Sequence, residues 1–222
     1  ETFNVEIPTF RPILTREAEL IEEIARLNGF EKIKVTSPSV RVSPVRFTPK
    51  QSAVRRVKDI LSHIGFSEIL TYSFIDALSA KQFRSAFSTV PEMDIIPLSN
   101  PISADMGVMR PSLLPGLIQS AKNNFSKGQK GVKIFEFGNV FMCDQQGKIE
   151  EKTAVAALVA GIYENSVWKQ TGKSYDYFDL KGTLNSVIEQ MKIKLAEQPE
   201  SGRPFMLKGK SVELVVNGEI CG

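Results

Sequence analysis

Apolar residues recur at helical spacing in several stretches of the chain and alternate, or run together, in others. Leu20, Ile24 and Leu27 fall on one face of a helix expected over residues 16–27, with Thr15 as N-cap and Asn28-Gly29 as a left-handed stop. Val54, Val57, Leu61 and Ile64 make a second stripe. Thr48-Pro49-Lys50-Gln51 announces that helix, with threonine at the cap, proline at the first position and glutamine completing a capping box. Further helices are expected over residues 79–85, over 113–124, and to about residue 193 behind Asp179 as N-cap, where Leu184, Val187, Ile188 and Met191 form the face.

Strand patterns fall between these helices. Residues 3–7 alternate apolar and polar before Pro8. Residues 69–74 and 94–98 are strand candidates, 132–142 is a strand of mixed burial, and 153–163 reads as a buried strand, apolar almost throughout. Residues 211–216 and 218–221 form a closing hairpin about Asn217-Gly218. Pro38, Pro44, several serines and alternating valines make 34–47 extended and mark a domain boundary. The organisation expected is a piece of one domain over 1–36, a linker over 37–47 and a larger domain over 48–222. Strands in series with unevenly placed helices favour α+β with a mostly antiparallel sheet.

Composition narrows this picture only a little. Across 222 residues, 42% apolar and 24% charged content suffice for a sizeable core. A net charge of +3 permits an RNA-associated role without arguing for one. Cys143 and Cys221 are the sole cysteines, which favours a reducing, cytoplasmic setting. No stretch is long enough for a membrane helix, and no signal peptide is visible. The chain opens at Glu1 without a methionine and stops at Gly222 after a strand-like run, so a piece of a longer protein is expected.

Familiar catalytic devices are mostly missing. His63 is the single histidine and sits beside the apolar stripe, where a partly buried structural role is expected. Two distant cysteines with one histidine do not make a zinc site. Gly-Lys-Ser occurs at Gly172 and Gly209, but Val167 and Pro204 stand where a phosphate loop needs glycine, so both read as turns. Glu19, Glu22 and Glu23 crowd the first helix. They make either a solvated face with a Glu22–Arg26 pair or, at spacings of three and four, a divalent-cation site suited to magnesium. Lys122, Lys127, Lys130 and Lys133 surround a central Gly-containing loop and keep a nucleic-acid-binding module open.

The block from Asn100 to Asp144 stands apart. Charged Glu136 lies among Phe135, Phe137 and Phe141, so it needs a specific partner. Arg110 could be that partner, a contact for another chain, or a phosphate ligand. The order Asn100-Pro101-Ile102-Ser103, then Met109-Arg110-Pro111-Ser112-Leu113-Leu114-Pro115-Gly116-Leu117, then Ile134-Phe135-Glu136-Phe137-Gly138-Asn139-Val140-Phe141 resembles the core of the beta chain of bacterial phenylalanyl-tRNA synthetase. Glu6-Ile7-Pro8-Thr9-Phe10-Arg11-Pro12, Gly65-Phe66-Ser67-Glu68 and Phe178-Asp179-Leu180-Lys181-Gly182 extend the likeness over nearly the whole chain.

The resemblance implies an antiparallel class II aminoacyl-tRNA synthetase-like core, flanked by helices and catalytically silent, behind the end of a winged-helix-like domain. It implies that a separate alpha chain binds ATP and magnesium and attaches phenylalanine to tRNA(Phe), in an assembly of two alpha and two beta chains. The family's magnesium-associated positions fall on Glu19, Glu22 and Glu23, with Ile13 where the pattern has aspartate. Class II chemistry also needs an arginine on the strand after the central helix to clamp phosphate. Here Val140-Phe141 runs on into Met142-Cys143-Asp144. An active class II adenylating ligase is therefore the weaker alternative. Class II cores commonly pair, so the isolated chain is also expected to be capable of self-association.

Overall fold

A computed structural model describes residues 3–41, 44–83, 94–144, 146–163, 172–199, 205–206 and 211–220. The chain divides into two compact units, Glu1–Arg46 and Phe47–Gly222.

The first unit contains one helix, α1 (Glu17–Asn28), followed by a 3-10 turn over Phe30–Lys32. The strand expected over 3–7 is not formed; a lone extended segment has no neighbour to take its backbone groups. Arg16, not Thr15, occupies the N-cap position, and Glu19 reaches back to accept the N–H groups of Thr15 and Arg16. No residue of α1 is buried, and Leu27 is 79% exposed.

The second unit is built on the hairpin of β4 (Gly131–Cys143) and β5 (Ile149–Tyr163), antiparallel along the whole of β4 and from Ile149 to Gly161 of β5. Asp144 shapes the turn by accepting the N–H groups of Gln146 and Lys148. Short strand β1 (Ser67–Glu68) joins β4 in parallel, and β6 (Lys173–Ser174) joins the far end of β5, giving the order β1-β4-β5-β6. The turn expected at Gly172-Lys173-Ser174 is thus partly strand, whereas the one at Gly209 lies outside the described residues.

Alternation along β4 assigns two faces. Val132 and Ile134 pack on Leu117 and Ala121 of α4 (Leu114–Ser126), while Phe135 packs on Leu61 and Phe66, with Val57 and Val187 beside it. Val57 and Leu61 come from α2 (Pro49–His63), Phe66 from the turn after it, and Val187 from α5 (Tyr177–Met191); the two helices touch each other. The sheet therefore lies between α4 and the α2–α5 pair. Burying a side chain such as Phe135 contributes about 1.5–3 kcal/mol. The capping box at Thr48 forms as expected: Gln51 donates its N–H to Thr48 Oγ1 at 3.2 Å, and Gln51 Oε1 accepts from Thr48 N at 2.9 Å.

Other expectations need correction. β5 is not buried throughout, since it lies near the sheet edge and Val155 and Ile162 are exposed. Of the 69–74 segment only Phe74 lies in a strand, β2 (Phe74–Ile75), which pairs antiparallel with β3 (Val108–Met109); Thr71 gives its N–H to a side chain instead of a ladder. Residues 94–98 make isolated bridges at Asp94 and Pro97; a proline cannot donate to a ladder. The short helix α3 is Ala77–Gln82, capped by Asp76, and residues 84–85 of the expected range lie outside the described residues.

Asp176, not Asp179, caps α5: Asp176 Oδ1 accepts from Phe178 N and Asp179 N, while Asp179 Oδ2 accepts from Asp176 N. His63 is exposed, its Nδ1 2.6 Å from the Asp59 carbonyl. The last elements form a separate sheet, β7 (Ala196–Pro199), β8 (Val212–Val216) and β9 (Glu219–Ile220). Asn217 and Gly218 turn the β8–β9 hairpin with φ of 52° and 87°. Cys221 lies outside the described residues.

Candidate functional site

The centre of the second unit is a buried ionic clasp. β2–β3 pairing brings Arg110, just after β3, beside Ser73, to whose carbonyl its N–H donates at 2.9 Å. The Arg110 carbonyl in turn accepts from Phe141 N on β4 at 2.9 Å. Glu136 lies at the middle of β4 on the face shared by Val132 and Ile134. Its side chain and that of Arg110 are 1% and 5% exposed, and Arg110 Nη1 donates to Glu136 Oε1 at 2.7 Å. Thr71 closes the group: its N–H donates to Glu136 Oε1 at 3.2 Å and its hydroxyl to Oε2 at 2.8 Å. Arg110 also donates through Nε to the Asn139 carbonyl at 2.9 Å.

Both charges are thus paired and hydrogen-bonded, which makes their burial tolerable. Two glycines make room. A Cβ at Gly138 would run into Arg110 Nη2, and one at Gly116 would run into Thr71. Thr71, Gly138 and the Asn139 carbonyl escape sequence reasoning, because backbone carbonyls and space carry no pattern. The one signal was a carboxylate inside a phenylalanine-rich strand.

Beside the clasp opens a cavity of about 420 Å³, lined among others by Thr71, Tyr72, Asp76, Asp105, Gln119 and Asn123. Asp76 is held below the ordinary aspartate range, first by the backbone N–H of Ser79 at 2.8 Å. A carboxyl depressed in the folded state stabilises it above the unfolded pKa and loses that contribution as pH falls through the folded one. Asp76→Asn should therefore lower the melting temperature at neutral pH, and the gap to the parent should close below about pH 4. A gap independent of pH would refute the carboxylate as the cap.

The carboxylates of α1 are arranged differently. Glu23 pairs with both Arg26 and Arg11, and its pKa is lowered, chiefly by the Arg26 hydrogen bond. Glu19 is occupied by backbone N–H groups, Glu22 is exposed, and Ile13 offers no ligand. Among the described residues no group of three or more His, Cys, Asp or Glu side chains is placed to hold a metal ion. In this arrangement α1 does not fit magnesium, which needs free oxygen ligands. Of the lysines, Lys122, Lys127 and Lys130 are exposed. Lys133 instead donates to the Ile64 carbonyl at 2.8 Å and lies 4.8 Å from the Phe66 ring centroid.

The fold is shared with a class II synthetase. The solved structure of a pyrrolysyl tRNA synthetase from Desulfitobacterium hafniense matches with a TM-score of 0.52 and 16% identity, over 78% of this chain and 56% of that one. The finer assignment rests on sequence. The model of the phenylalanyl tRNA synthetase beta chain CLM domain matches residues 33–222, and the chain belongs to that family. A phenylalanine–tRNA ligase beta subunit of Legionella pneumophila is 33% identical over 99% of the chain, and one of Carboxydothermus hydrogenoformans 32% over 97%. The chain spans 27% of the length of each of these curated relatives. No described helix is long and apolar enough to cross a membrane.

Proposed function

We propose that the chain is a catalytically silent core that holds the alpha subunit of a phenylalanine–tRNA ligase, so that the partner performs ATP-dependent attachment of phenylalanine to tRNA(Phe). The observation that carries this reading is the clasp. The arginine of the central block is spent on Glu136, and β4 itself, Gly131–Cys143, contains no arginine to clamp a phosphate. Such a clamp is central to activating a carboxylate with ATP. In this reading ATP and magnesium belong to the alpha chain's site, Arg110 and Glu136 are structural, and two alpha and two beta chains assemble in the cytoplasm. Residues 1–36 end a preceding winged-helix-like domain, 37–47 link, and 48–222 form the core. The nucleic-acid-module reading has less support, because Lys133 is engaged within the fold.

Co-purification with the matching alpha chain, followed by phenylalanine-dependent ATP–pyrophosphate exchange on each alone and together, tests the proposal. The expected result is a stable complex in which exchange is lost by inactivating the alpha chain and is absent from this chain alone. Exchange by this chain alone would defeat it, and so would failure to form a complex.

A further inference from the structure

We draw no further inference here: the strongest candidate, the cavity beside the clasp lined by Asp76, Asp105, Gln119 and Asn123, offers a ligand only two carboxylates, one of them already capping α3, and in a chain spanning 27% of its relatives' length nothing in the structure shows what covers it.

Discussion

Replacing Arg110 with alanine should destabilise the second unit by about 3–5 kcal/mol, measured as a shift in the urea midpoint at constant slope. The cost comes less from the lost attraction than from what remains. Glu136, 1% exposed at its side chain, would keep its charge with only Thr71 as partner. The Asn139 carbonyl would lose its donor as well. Removing both charges separates the two contributions. Arg110→Met combined with Glu136→Leu fills similar volume without an ion and should recover most of the stability, because buried pairs repay little beyond their own desolvation. If Arg110→Ala costs under about 1 kcal/mol, the magnitude expected of a surface pair, the clasp is not the buried element described here.

Gly138→Ala should cost about 1–3 kcal/mol, the range for forcing extra volume into a packed site. The new methyl would collide with Arg110 Nη2 and lie 3.1 Å from Leu113 Cδ2, so the guanidinium must leave its place. A double-mutant cycle identifies the cause. In an Arg110→Ala background the guanidinium is gone and only Leu113 Cδ2 stays close, so the glycine substitution should cost markedly less, leaving a coupling of about 0.5–3 kcal/mol. Equal costs in both backgrounds would assign the effect to strand backbone alone and remove Gly138 from the clasp.

Where local chemistry specifies an element, sequence reasoning placed it well. Thr48, Pro49 and Gln51 satisfy the orphan N–H groups of a helix start within one turn, so α2 begins where its residues alone require. Asn217 and Gly218 accept positive φ at little cost and set the last hairpin. At α5 the same logic slipped by three residues, because Asp176 and Asp179 cap each other and either reads as the first. The glutamates of α1 show the opposite case. Their spacing suits a cation, yet Arg11, twelve positions before Glu23, takes up that carboxylate.

By itself, then, the sequence determined the α+β class, the chief helices and the family to which the chain belongs. The class and the helices follow from periodicity, caps and turns, all governed by residues close together in the chain, whereas the family follows from the order of its motifs from Asn100 to Phe141. Only the tertiary structure decided which partner Glu136 takes, that β4 and β5 pair as one long hairpin, that Thr71 leaves a strand to join Glu136, and that Gly138 is the space Arg110 needs. Those outcomes depend on residues separated by up to 65 positions meeting at hydrogen-bond distance, as Thr71 and Glu136 do. Such meetings are set by the whole packing of sheet against helices and by the penalty on any buried charge left alone.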